Sequence, residues 1–455
     1  MKYLDITYIK MNKFLILFSA LALFACTFDD EVDPNRPSLQ GVLSEASINQ
    51  LNNLVVGVQS TMRGSLEIQT TGSGTMAREL YLFDADPRNT ADLLGANGAN
   101  LDNNSFYTTS PWRGRYIAIK NANILLDAIE NTSAASDAQK AGYRGFAKTV
   151  IAHELIQLVK SFNRARVDVT DPSNLGPILD AGAVFSAASS MLDDALSDLS
   201  QAGSTFAFSL AGFTGFDTPS SFTTFNRALK GVIAVYTGDS SGALSALSSS
   251  FMNIDGDLSV GPKHVFSLNS GDFTNPVYKI VDNNGDQIIV HDSFINEAEA
   301  GDTRVSRKTV IRSNPASQDG LTGTHQTALY ATNISPVDII RNEELVLLYA
   351  EANIPGDLAE ATRALNVIRN AAGLADYSGA ATAAALTTEL LHQRRYSLWC
   401  ENHRMYDLRR YNLSSSLPLD RAGDQVFNVF PIPLTQNEQS NKRPSIAWPF
   451  LYLYQ

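Results

Sequence analysis

The side chains best suited to chemistry are concentrated between Asp338 and Tyr411, above all in the run LLHQRRYSLWCENHRMYDLRRYN, which gathers Arg394, Arg395, Glu401, Arg404, Asp407, Arg409 and Arg410. Arginines in that density could clamp a phosphate or carboxylate through paired N–H donors. They could equally be paired among themselves. Arg404 and Asp407 stand three residues apart, and Glu343, Glu344 and Glu351 on the preceding segment add acid. A buried arginine is tolerable only with a partner, so the sequence favours a scaffold with a paired polar interior over an active site. The other candidates are weaker. The six histidines, His153, His264, His291, His325, His392 and His403, form no pair at metal-ligand spacing and are expected on helix or loop surfaces. His153-Glu154 lacks the second histidine of a zinc-protease helix, no Gly-x-Ser-x-Gly elbow occurs, and carboxylate pairs in an acidic chain do not argue for a glycosidase. The expectation is a protein that is not an enzyme, with no metal and no cofactor.

The elements that must position these residues are mostly helical. The chain has 455 residues and a formal charge of −12, which argues against nucleic acid because phosphate binding needs a basic face. Stripes with helical spacing run through Ile48, Leu51, Leu54, Val55 and Val58, and through Tyr143, Phe146, Val150, Ile151, Leu155 and Leu158. Pro111-Trp112 is expected to open a helix, Val184–Leu199 to form another, and Phe225–Tyr236 with Ser241–Phe251 a short helical hairpin. Asp357 with Glu360 has the spacing of an N-cap, and Gly373 fits the stop. Residues 65–110 and 203–221 read as long loops, where binding residues tend to lie. From Asn253 to Ser335 the pattern is irregular and partly β, with Asn283-Asn284-Gly285-Asp286 as a hairpin signal. The expected fold is mainly α: tetratricopeptide-like helix pairs in a superhelical α/α scaffold, with a partly β insert and long loops.

Only two cysteines are present, Cys26 and Cys400. Cys400 reads as a small packing residue. Cys26 closes the apolar run Phe14–Ala25, which follows Lys13 and is too short to span a bilayer comfortably. Residues 1–25 are therefore expected to be a signal peptide, with Met11 the better start. Leu23-Phe24-Ala25-Cys26 resembles a bacterial lipobox, which implies cleavage before Cys26 and a lipid on its sulfur. Residues 26–43 form an acidic tether. Its Asp29-Asp30-Glu31 resembles the surface-export signal of Bacteroidetes lipoproteins.

Residues spread along the rest of the chain resemble the SusD/RagB family of outer-membrane lipoproteins. PWRGRYIAIKNANILLDAI is similar to the family's aromatic and Ala-Asn helix, with Trp112, Tyr116, Ile119, Ala122 and Asn123 in place. AGYRGFAKTVIAHELIQLVKSF, RALKGVIAVYTGDSSGAL, GDTRV, RNEELVLLYAEA, ALNVIRNAAGL, ENHRMYDLRRYN and FPIPLTQNE resemble further family patterns in the same order. The chain departs from them at Gln393-Arg394, Ser397-Leu398 and Glu401-Asn402, and in its last residues, WPFLYLYQ. The resemblance implies one domain over residues 44–455. Its helical scaffold occupies 44–252 and 336–412, the insert 253–335, and an irregular C-terminal segment 413–455. It further implies a lipid-anchored, outward-facing protein of the outer membrane that captures an oligosaccharide. The chain would be the lid of a SusC-type TonB-dependent transporter. The alternatives are a RagB-like lid that captures peptide, or a purely protein-binding structural lipoprotein.

Sugar binding needs flat aromatic faces and polar groups for hydroxyls. The first loop offers Tyr81, Phe83, Asp84, Asp86, Arg88, Asn104, Phe106 and Tyr107, and the second Phe213 and Phe216. These ten are the ligand-binding candidates, and Cys26 is the lipidation site. Trp112 is expected to pack.

Overall fold

The computed structural model describes residues 39–439. The expected signal peptide, Cys26, most of the tether and the apolar end of the chain lie outside the described residues.

The chain opens with α1 (Leu39–Ser44), α2 (Ile48–Met62) and α3 (Leu66–Met76), then β1 (Leu80–Asp84). Two long antiparallel helices follow, α4 (Phe106–Asn131) and α5 (Asp137–Phe162). The short strands β2 (Arg164–Arg166) and β3 (Ile178–Asp180) pair with each other and lead into α6 (Ala181–Gln201), α7 (Pro219–Tyr236) and α8 (Ser240–Ser248). The insert holds β4 (Lys263–His264), β5 (Asp286–Val290), α9 (Asp292–Asn296), α10 (Thr303–Lys308), β6 (Thr309–Gln318), β7 (Leu321–Thr327) and β8 (Val337–Asp338). Then come α11 (Asn342–Asn353), α12 (Leu358–Ala371), α13 (Ala383–Ser397), α14 (Arg404–Arg410) and, after an irregular run, α15 (Leu434–Gln439). The mainly helical fold expected from the sequence is the one observed.

The helix starts are set locally. Ser47 with Gln50, and Ser136 with Gln139, form reciprocal capping boxes at α2 and α5. The Asp357 carboxylate accepts from the Glu360 N–H at 3.0 Å at the start of α12. Apolar stripes then pack the pairs into one large core, with Val55, Ile119, Phe146, Val150, Phe225 and Val232 fully or nearly fully buried. Close helix approach relies on glycine. A Cβ on Gly145 of α5 would sit 2.6 Å from Leu199 Cγ of α6, and one on Gly231 of α7 would sit 2.8 Å from Leu247 Cδ2 of α8.

Four parts of the chain differ from the sequence reading. The stretch read as loop contains α3 and β1. In α3 the polar run Gln69–Thr75 is entirely buried, so no apolar stripe announced it. Pro111 lies inside α4, which begins one turn earlier at Phe106. The region from Asp338 starts as the end of β8, and its helix begins at Asn342. The Asn283–Asp286 turn precedes a strand but closes no local hairpin. β5 pairs antiparallel with β1, about two hundred residues earlier in the chain. The hairpin in the insert is β6–β7, turned at Asp319-Gly320, in a sheet of order β1-β5-β7-β6. A shift of register between Ile311 and Ala316 masks its alternation.

After α14 the chain runs back over the N-terminal half. The Gln425 N–H donates to Leu94 O at 2.8 Å, Phe430 N–H to Ser161 O at 3.0 Å, and Leu434 N–H to Asn103 O at 3.0 Å. The fully buried Arg78 donates to Gln425 O at 2.8 Å.

Candidate ligand-binding surface

Several of the candidates meet where β1 ends. Asp86 caps a short 3-10 turn, its carboxylate accepting from the Arg88 N–H at 3.0 Å and from the Arg88 guanidinium at 2.9 and 2.5 Å. Those bonds hold the Asp86 carboxyl below the usual carboxylate range. The same guanidinium stands 4.7 Å over the half-buried ring of Phe106, at the start of α4. Both oxygens of Asp84 accept from Asn89 Nδ2 at 3.0 Å. Asn104 is exposed, and its N–H donates to Asp102 Oδ1 at 2.8 Å. Asp84, Asp86, Arg88, Asn104 and Phe106 thus form one surface of carboxylate, guanidinium, amide and aromatic groups. Sequence reasoning missed two partners at its edge. Thr90 Oγ1 donates to Asp319 Oδ2 at 2.6 Å, and Arg421 bridges Asp319 O at 2.8 Å and Thr90 O at 3.0 Å. The Asp319-Gly320 dipeptide was the one local signal available for that hairpin tip. Nothing local marks Arg421.

The remaining candidates point inward. Tyr81 and Phe83 stack at 5.7 Å on the covered face of β1 and are 5 % and 2 % exposed. Tyr107 is fully buried and donates to Asp92 Oδ2 at 2.9 Å. Phe213 packs against Phe222 and Phe225, and Phe216 against Phe251. The reading of these five as loop surface is corrected. Burying a large apolar side chain is worth roughly 1.5–3 kcal/mol, and a Phe- and Gly-rich connection beside an aromatic core is drawn into it.

The arginine-rich stretch is internally paired, although with other partners than the sequence suggested. Arg394 is bound to Asp407 at 2.7 Å, and Arg410 to Asp407 at 3.0 Å and to Glu351. Arg341 reaches Glu343 at 2.8 Å and Glu401. Arg404 donates to Ala77 O at 3.2 Å rather than to Asp407. Cys400 is a buried packing residue, and burial pushes its thiol up. The histidines depart from expectation: His153, His264, His291 and His403 are buried. His264 and His403 are held well below the ordinary imidazole value by burial, so they stay neutral. Lys160, also buried, comes down to about 8 for the same reason. Among the described residues no group of three or more His, Cys, Asp or Glu could hold a metal ion.

A family model described as the SusD family matches residues 319–450. The fold agrees over a far longer span. A SusD superfamily protein from Bacteroides vulgatus superposes with a TM-score of 0.64 at 19% identity, over 86% of this chain and 97% of that one. The chain therefore has the fold of SusD superfamily proteins, and its residues 319–450 match the SusD family model. Surface glycan-binding protein A from Bacteroides thetaiotaomicron, solved in complex with laminarihexaose, gives 0.68 at 13% identity, over 87% of this chain and 98% of that one. A laminarin-binding SusD-like protein gives 0.60 at 17% identity, over 86% and 97%. Among curated proteins none matches the sequence. The part that matches the SusD model holds β7, α11–α14 and the returning segment, which build the paired polar interior. The surface around Arg88 and Phe106 precedes that part in sequence.

Proposed function

We propose that this chain is a cell-surface lipoprotein that captures an oligosaccharide and closes over a SusC-type TonB-dependent transporter in the outer membrane. The observation that carries the reading is the shared fold. Over nearly nine-tenths of its length the chain superposes on proteins whose names describe surface glycan binding, one of them holding laminarihexaose. The surface around Arg88 supports it, because paired carboxylate and guanidinium beside an aromatic ring suit a neutral, polyhydroxylated ligand. No covalent step is needed. Affinity and a shift between open and closed arrangements with the transporter would suffice. Residues 44–455 would act as one domain, with the insert 253–335 on one side of the helical scaffold.

Titration calorimetry of the mature chain against an oligosaccharide panel tests this. Binding of at least one sugar is expected, weakened about tenfold, or about 1.4 kcal/mol, by Arg88→Ala and by Phe106→Ala. Silence towards every sugar sinks the reading. One observation keeps the peptide alternative in play: Trp112 and Trp399 are both buried, so neither offers a flat indole platform to a glycan. Binding confined to a peptide panel would select that alternative. The anchor is tested separately. Acyl chains hold to a bilayer at about 0.8 kcal/mol per buried methylene, so Cys26→Ala should move the protein from the membrane fraction to the soluble one. Retention in the membrane would remove the lipobox reading.

A further inference from the structure

A second surface, built by α2 and the loop after β4, repeats the combination of groups found around Arg88. Arg63 caps the C-terminus of α2 and is bound to Asp272 at 2.7 Å. Its guanidinium lies 5.1 Å from the ring centroid of Phe273 and donates to Val265 O at 2.7 Å. The surface around Arg88 has the same three parts, an arginine tied to an aspartate and set against a phenylalanine ring. The loop that carries Phe273 is held by its own bonds. Ser267 Oγ donates to Asp272 Oδ2 at 2.7 Å, Ser267 N–H to Phe273 O at 3.2 Å, and Asp272 N–H to Asn269 O at 3.1 Å. Phe273 nevertheless remains 51% exposed. Beside it runs a groove of about 550 Å³, lined by Gln59, Arg63, Asn269, Ser270 and Asp272 among others.

We propose that this groove, together with the Phe273 ring beside it, is a second carbohydrate subsite, in which the free part of the ring takes the apolar face of a sugar while Asp272 and Asn269 bind its hydroxyls. Three features carry this. A half-exposed ring fixed in orientation by a guanidinium offers apolar area without a rotamer left to freeze, so little ordering cost opposes binding. The formal charges at the groove are paired, Arg63 with Asp272 and Lys263 with Asp338, which suits an uncharged ligand over an anion or a cation. Asp272 spends one lone pair on Arg63 and one on Ser267 and keeps acceptor capacity for a hydroxyl. The rival occupant is a protein partner, because Val56, Val265 and Leu268 are exposed nearby.

The inference rests on the glycan-binding reading, and its test separates the two. Laminarihexaose, cellohexaose, xylohexaose and mannohexaose are titrated into the wild-type mature chain and into the Phe273→Ala, Phe273→Trp, Asn269→Ala and Phe106→Ala variants. The subsite predicts, for a sugar that binds wild type, a loss of about tenfold in affinity or of one binding step in Phe273→Ala, a smaller loss in Asn269→Ala, and retention in Phe273→Trp. Because Phe273 is half exposed and Asn269 exposed, both variants are expected to keep the wild-type melting temperature. Equal affinity and stoichiometry in wild type and Phe273→Ala, with loss only in Phe106→Ala, overturns the subsite and leaves the function standing. Equal sugar binding accompanied by loss of a copurifying transporter in Phe273→Ala overturns it in favour of a protein contact. No binding of any sugar to wild type removes both proposals.

Discussion

Urea unfolding of an Asp407→Ala chain will show a stability about 3–5 kcal/mol below wild type, the range for stripping one partner from a buried ion pair. Asp407 is 5% exposed and joins two arginines, Arg394 at 2.7 Å and Arg410 at 3.0 Å. Without it Arg394, itself 1% exposed, has no carboxylate partner, and Arg410 keeps only Glu351. The comparison that isolates burial is Arg363→Ala. Arg363 pairs with Glu360 at 2.7 Å but is half exposed, and its removal should cost no more than about 1 kcal/mol. The pH dependence follows. Burial alone would raise the Asp407 pKa, but Arg394 and Arg410 more than offset it and hold it below the ordinary value. A carboxyl depressed in the folded state stabilises above its unfolded pKa, about 3.9, and loses that contribution as pH falls further. Wild type should therefore lose stability below about pH 4 through this residue, and Asp407→Ala should lack that component.

Glu79→Gln will act in the opposite direction and stabilise the protein at alkaline pH. Glu79 is 1% exposed, at the junction of α3 with β1, and its Oε1 has no hydrogen-bond partner within the protein. Its main-chain oxygen is committed, accepting from Trp399 Nε1 and the His291 N–H, each at 3.1 Å. Burial raises its pKa from 4.5 to about 7, against the pull of Arg404, Arg395 and Lys308. Between those two values the folded state holds a proton that the unfolded chain releases, so stability falls as pH rises through that window and then levels off. At 1.36 kcal/mol per unit the cost by pH 8 is about 3 kcal/mol. Unfolding at pH 5 and pH 8 will show the variant within about 1 kcal/mol of wild type at the lower pH and about 3 kcal/mol more stable at the higher. A difference independent of pH would mean that Glu79 does not titrate in this window.

What the sequence made legible was local. The stripe of α5, its Ser136 cap and the Asp357 cap act within a few residues of one another, so the pattern is the cause. α3 was hidden because its stabilising contacts are tertiary. Gln69, for instance, donates to Ser161 Oγ at 2.9 Å, across 92 residues. The pairing of the arginine cluster was foreseeable from burial and charge, but its choice of partners was not. Helical spacing nominated Arg404 for Asp407, whereas the turn between α13 and α14 delivers Arg394. The candidate surface was half legible for a similar reason. Asp86 and Arg88 are neighbours in sequence, but Phe106 reaches Arg88 only through the packing of α4, and Phe213 and Phe216 were claimed by the core.

The returning segment sets an order of events during synthesis. Arg421 secures Thr90 across 331 residues, and Gln425 is held by Arg78 across 347. Closing loops that long is slow, and it requires Arg421 and Gln425 to have been made. On a growing chain the surface around Arg88 therefore takes its final form only after nearly the whole protein has emerged. Chains released early would carry intact helix pairs and an unfinished rim. They could pass a test of helical content and still fail to hold a ligand, so the ability to bind becomes a report on completed translation.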